Sequence, residues 1–179
     1  MCLEDKKRIF LKQVQVNVIE EACGNALRAS LQHSGTYSNA VADRSSFQNS
    51  LKESLRRELE IYHYGVSEED HLDRIQSLAS NLSGTYSDIL KNGRFRIGIA
   101  QKALNLYLKI AWCLNADFAT PPHCPIDRGV LNHAGIYANW TQLDSLEIYK
   151  DWILGLKRKS VASGASSLSA WELGIWIPG

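Results

Sequence analysis

The sequence predicts an all-α domain, a compact bundle of six to eight helices, on three observations. Apolar residues recur at three- and four-residue steps along most of the chain, the spacing that gathers them on one face of a helix. Convincing strand patterns are absent. Helix punctuation separates the periodic segments: Gly65 closes one stripe, Ser67 opens the next beside three acids, and Pro121, Pro122 and Pro125 stop another. The chain has 179 residues, which suits a single domain over 1–179 or two tightly joined lobes around one core. Hydrophobic residues make up 45% and charged residues 22%, a balance that excludes wholesale disorder.

In chain order, residues 5–32 carry Ile9, Phe10, Val14, Val16, Ile19, Cys23, Ala26, Leu27 and Leu31, mostly at helical steps, and predict one core-facing helix. Phe47, Leu51, Leu55, Leu59 and Tyr62 form a cleaner stripe, ended by Gly65. Ser67-Glu68-Glu69-Asp70 is an N-cap followed by acids in the first turn, opening a helix with Leu72, Ile75, Leu78, Ala79 and Leu82 inward. The most apolar helix runs from Ile97 to Leu114 and belongs at the centre of the fold. A short helix follows from about Pro125, since proline suits a first helical turn. Thr141-x-x-Asp144 starts another helix through Leu156, Lys157 to Ser167 reads as a mobile serine-rich joint, and Ser169-x-x-Glu172 reads as a capping box for the last helix.

Composition narrows the function classes. Lys plus Arg is 20 against 19 Asp plus Glu, a net charge of +1, so an anion-binding surface must come from local clustering. Lys109 interrupts the greasiest segment, which argues against a membrane span. The charged start Met1-Cys2-Leu3-Glu4-Asp5-Lys6-Lys7-Arg8 has no apolar core of a secretory signal. Cys2, Cys23, Cys113 and Cys124 contain no C-x-x-C pair and suit reduced thiols in the cytoplasm. His123-Cys124 has only Cys113 nearby and fits no standard metal spacing, so neither a metal nor another cofactor is expected.

Four features carry chemistry. Between Lys91 and Asn115 stand five bases (Lys91, Arg94, Arg96, Lys102, Lys109) and no acid. Arg94, Arg96 and Gly98 at the entry of the central helix make either a phosphate clamp, from free amides, helix dipole and guanidinium groups, or an ordinary solvated helix start. Lys102, Asn105 and Lys109 form a polar seam on that otherwise apolar helix. Such a lysine either snorkels to water or, desolvated, serves as a Schiff-base nucleophile. Three prolines in the five residues 121–125 stiffen the approach to Asp127, which falls at a helix N-terminus. Finally, Ser34-Gly35-Thr36-Tyr37-Ser38 recurs as Ser83-Gly84-Thr85-Tyr86-Ser87, either as a shared turn or as two hydroxyl- and aromatic-bearing loops facing one ligand.

A central helix with a basic residue near its start, a short loop, then Pro125-Ile126-Asp127-Arg128 and another helix resembles the helix-hairpin-helix DNA glycosylase superfamily, most nearly its archaeal 8-oxoguanine glycosylase type. The resemblance covers about forty residues. It implies a catalytic loop at 120–128 after the helix at about 96–115, with Asp127 as the catalytic aspartate and Gly98-Ile99-Ala100-Gln101-Lys102 in place of the hairpin glycine and lysine. The sequence departs from that family in lacking a Leu-Pro-Gly-Val-Gly hairpin and a four-cysteine cluster. The separation from Asp127 does not choose between Lys102 and Lys109, and an enzyme using Asp127 alone stays open.

The resemblance implies a monomer that binds double-stranded DNA, rotates a nucleotide out of the stack and excises its base, for repair or antiviral defence. The expected DNA contacts are Arg94, Arg96, Gly98, Lys109 and Arg128, and the base-pocket candidates are Tyr37, Tyr86, Trp112, Trp140 and His123. A glucosylated 5-hydroxymethylcytosine of phage DNA, or 8-oxoguanine, is the expected substrate. Two other readings compete. Arg128 and His133 form an R-x4-H pattern that resembles the HEPN ribonucleases, with Gly129 where that family carries a polar residue. A non-catalytic interaction module is the other, with Trp171, Leu173 and Trp176 as a docking tail that otherwise packs back on the core.

Overall fold

The computed structural model describes residues 1–38 and 44–177. Among them are eight α-helices and no strand: α1 (Leu3–Val14), α2 (Ile19–Leu31), α3 (Arg44–Tyr62), α4 (Glu68–Tyr86), α5 (Ile97–Leu114), α6 (Arg128–His133), α7 (Leu146–Ala162) and α8 (Leu168–Trp176). Helix α5 has the bounds its pattern predicts. Every residue from Ile97 to Trp112 is buried, because α1, α2, α3, α4 and α7 all pack around it. Its leucines, isoleucines and alanines thus form the axis of one continuous core that also takes Phe47, Leu55, Ile75, Ile126 and Leu156.

The predicted first helix is two helices. Apolar periodicity continues across residues 14–19, but Val14, Val16 and Val18 are β-branched and weaken helix there. Gln15 adopts a left-handed conformation at φ 55°, and its amide reaches back to the Leu11 and Lys12 carbonyls. Val16 is still buried, so the core-facing pattern survives the break. At the next boundary the sequence signals hold. The Ser67 side chain accepts from the Asp70 amide, and Gly65 sits at φ +95°.

The end of the chain differs from expectation in three places. Thr141 lies in a 3-10 turn at Trp140–Gln142, and α7 is capped instead by Ser145, which accepts from the Ile148 amide. Lys157–Ala162 continues α7 rather than forming a mobile joint, because buried Ser160 extends the stripe of Tyr149, Trp152, Ile153 and Leu156. Helix α8 is capped by Ser167, not Ser169. Ser169 is buried and donates to the Pro121 carbonyl at 3.0 Å, so long-range packing claims the hydroxyl that local spacing assigns to a cap.

The repeated pentapeptide takes two conformations. Ser34–Ser38 is irregular, with Gly35 at φ +65°, whereas Ser83–Tyr86 is the last turn of α4. They are not a shared turn, but both lie against Phe47, and the first also bonds the segment that follows the second. Ser38 donates to the Ile89 carbonyl and Lys91 to the Thr36 carbonyl, each at 2.9 Å. Tyr37 and Tyr86 both pack edge-on against Phe47, with centroids 5.7 and 5.5 Å away.

Candidate functional site

A cleft of about 700 Å³ opens where α5, α6, α8 and the Trp140 turn converge. At its wall Lys102 Nζ lies 2.6 Å from Asp127 Oδ2. Lys102 comes from the second turn of α5, where its neighbours are core residues and only its end reaches the cleft. Asp127 is the N-cap of α6, and its Oδ1 accepts from the Val130 amide at 3.1 Å. The carboxylate is therefore held on two sides, by an ammonium and by helix-terminal amides. Burial alone would raise the Asp127 carboxyl, but Lys102 and the Val130 and Gly129 amides outweigh it and hold it below the ordinary carboxylate value.

The rest of the cleft is aromatic and polar. Trp140 stands with its ring centroid 5.1 Å from Lys102 Nζ, and Trp176 and Ile175 at the end of α8 form another part of the wall. Arg128, exposed beside Asp127, lines the same cleft. Gln32 and His33 reach it from the end of α2, with His33 in a left-handed conformation at φ 58°. Of the predicted site residues, the structure thus brings together Lys102, Asp127, Arg128 and Trp140.

It disperses the others. Lys109 is buried, with Nζ 2.6 Å from Glu172 Oε2 and 3.9 Å from the Phe10 ring centroid, so it neither snorkels nor reaches a DNA surface. Trp112 is buried in the core against Lys7. His123 is fully buried and hydrogen bonded to the Tyr149 hydroxyl at 2.9 Å. Burial, aided by Lys157, pushes its imidazole down to about 3, which keeps it neutral at ordinary pH. Tyr37 and Tyr86 sit around Phe47 and do not line this cleft.

The phosphate clamp at the entry of α5 is closed by the chain itself. The Gly98 amide donates to the Leu143 carbonyl at 2.9 Å. A Cβ at Gly98 would stand 1.7 Å from the Trp140 carbonyl oxygen, so glycine here admits the Trp140–Leu143 segment rather than an anion. Arg96 is buried with Nη1 3.4 Å from the Thr141 carbonyl, and Arg94, largely exposed, pairs with Asp144 at 2.8 Å. Seen from the sequence, basic residues beside glycines signal anion binding; the signal fails because the Leu143 carbonyl, distant in sequence, takes the Gly98 amide.

Three residues take roles that the sequence did not show. Glu172, expected in a capping box, is the partner of Lys109. Trp176, read as part of a docking tail, lines the cleft, while Leu173 of that tail is buried in the core. Gln101, passed over inside the lysine motif, is fully buried and bonds Ile126, the residue before Asp127, through both ends of its amide: Nε2 donates to the Ile126 carbonyl at 2.8 Å and Oε1 accepts from its amide at 3.1 Å. Only its position immediately before Lys102 marked it in the sequence.

No helix among the described residues is long and apolar enough to cross a membrane. No family model, curated protein or solved structure matches this chain.

Proposed function

We propose that the cleft is the active site of a DNA base-excision enzyme that hydrolyses the N-glycosidic bond of a flipped nucleotide. The observation that carries this reading is a held, ionised carboxylate, Asp127, paired with Lys102 in an open cleft walled by two tryptophans. Breaking a glycosidic bond leaves positive charge on the sugar, and a fixed carboxylate stabilises that charge more than it stabilises the neutral substrate. Half-buried Trp140, which lines the cleft, offers an aromatic wall for an extruded base. As the bond between C1′ and the base nitrogen breaks, its electron pair leaves with the base. Water adds its hydroxyl to C1′, and its remaining proton ends on the departing base. Asp127 orients that water, Lys102 holds Asp127, and Arg128 at the rim offers a guanidinium to a backbone phosphate.

The ribonuclease alternative finds less support. Arg128 lines the cleft with Asp127, but His133 lines a separate groove with Lys6 and Trp171, and its Nδ1 lies 3.0 Å from the Gly129 carbonyl. The test is incubation of the protein with duplexes carrying uracil, 8-oxoguanine, hydroxymethylcytosine or glucosylated hydroxymethylcytosine, beside an RNA control. Strand breaks at one base that appear only after alkali are the expected result. Breaks without alkali would make Lys102 a nucleophile, and degraded RNA with intact DNA would replace this reading by the ribonuclease.

A further inference from the structure

The loop before Asp127 has few ways to be held. Pro121, Pro122 and Pro125 have no amide hydrogen to donate, and Ile126 is the one residue between Pro125 and the catalytic candidate. Its side chain and backbone are buried, so its N–H and C=O need partners inside the protein. Gln101 supplies both. A single hydrogen bond leaves a backbone segment free to pivot, whereas two parallel bonds to one planar amide fix its distance and its orientation together.

The orientation of that amide is itself determined. Asn105, one turn further along α5, donates from Nδ2 to Gln101 Oε1 at 3.2 Å, to the Cys124 carbonyl at 3.1 Å and shares a contact of 3.1 Å with the Tyr149 hydroxyl. With Asn105 donating to it, Oε1 of Gln101 is the accepting end, which leaves Nε2 to face the Ile126 carbonyl. Tyr149 is held in turn by His123 at 2.9 Å. Side chains from successive turns of one helix thus bind the loop backbone at residues 124 and 126.

The register has a chemical consequence. Gln101 immediately precedes Lys102, and Ile126 immediately precedes Asp127. Pairing the first members of the two dipeptides places the second members opposite one another, where the ammonium and carboxylate meet at 2.6 Å. We propose that Gln101 is the positioning residue of this site, its amide setting the register of the Pro125–Asp127 loop on α5 and so the geometry of the Lys102–Asp127 pair. The effect on catalysis rests on the base-excision reading; the effect on Asp127 does not.

The experiment follows the Asp127 carboxyl carbon by NMR through a pH titration in the wild type, in Gln101→Met and in Leu108→Ala, a buried change elsewhere on α5. Gln101→Met is expected to raise the Asp127 titration toward the ordinary carboxylate value, and Leu108→Ala to leave it in place. No change in Gln101→Met, or an equal change in both variants, overturns the proposal. Amide exchange in the wild-type protein decides the matter even if the methionine variant does not fold. The Ile126 N–H should exchange as slowly as the core amides of α5, and exchange at the rate of an open loop overturns the assignment. With an excision substrate, Gln101→Met should lower the single-turnover rate about tenfold to a hundredfold without changing DNA affinity. If the wild type releases no base from any duplex, the base-excision reading falls, and the titration still decides the positioning role.

Discussion

Helix α5 carries two lysine–carboxylate pairs two turns apart, each closed at 2.6 Å. Lys102 meets Asp127 at the cleft, with side chains 10% and 19% exposed, whereas Lys109 meets Glu172 in the core at 1% and 0%. Both are lysine–carboxylate pairs of the same length, yet the carboxyls move in opposite directions. Burial outweighs Lys109 and pushes the Glu172 carboxyl up. At Asp127 the burial effect is smaller than the combined pull of Lys102 and the helix-terminal amides, and the carboxyl goes down. An ion pair keeps a carboxylate ready for chemistry only where extra donors complete its hydrogen bonds. Where burial dominates, as at Glu172, a pair of the same length ties α8 to α5.

Breaking the core pair should have the largest effect. Lys109→Met leaves Glu172 buried without its cation and is expected to cost about 3–5 kcal/mol in urea unfolding. The double variant Lys109→Met/Glu172→Leu should recover most of that loss, since an apolar pair has no charge to desolvate. A single variant as stable as wild type would show that the pair does not hold α8.

The cleft pair should respond more in rate than in stability. Asparagine still caps a helix but leaves Lys102 without its anion, so Asp127→Asn is expected to cost about 1–2 kcal/mol, less than Lys109→Met. Base release should fall by about 10²–10³-fold in single-turnover assays, the scale of losing one charge-stabilising group. Full retained activity removes Asp127 from the mechanism.

A smaller change reaches the cleft through its wall. Gly98→Ala sets a methyl group against the Trp140 carbonyl and should cost about 1–3 kcal/mol of thermal stability. It should slow base release by displacing Trp140, while leaving the Lys109–Glu172 pair in place. A fully active and fully stable alanine variant would mean that the Trp140 turn yields freely.

The smallest effect is in pH dependence. Asp127 is depressed in the folded protein, so its contribution is complete above the unfolded value of about 4 and is lost as pH falls through the lower folded value. The stability gap between wild type and Lys102→Met should therefore shrink below about pH 4. A gap in urea unfolding that stays constant down to pH 3 would show that Lys102 does not act through the charge of Asp127. Glu172 acts in the opposite sense, because its carboxyl is raised when folded.

Much of the fold is legible in the sequence because helix signals are local. The bounds of α5, the Ser67 cap and the Gly65 stop depend on residues within a turn of each other. Where the reading failed, local signals competed. Apolar spacing runs through residues 14–19 although left-handed Gln15 ends α1, and the α8 cap that spacing assigns to Ser169 falls to Ser167. Asp127 stands at the cleft where a proline-stiffened helix start places it, whereas Trp140 lines the cleft and Trp112, Tyr37 and Tyr86 do not, a difference that residue type alone does not carry. Gln101 and Trp176 were not legible as site residues, since nothing within a turn of either announces Ile126 or the cleft.

By itself, then, the sequence determined that the fold is all helical, which helix is central and that an aspartate stands at a helix start after the prolines. Tertiary structure alone decided the fate of each polar group on α5: Lys102 at a cleft, Gln101 and Asn105 on a loop backbone, Lys109 on a buried glutamate. Helix formation follows from backbone torsions and neighbours three or four residues away. The chemistry of a buried polar side chain follows from the partner and the solvent it is given, and packing among distant segments supplies both.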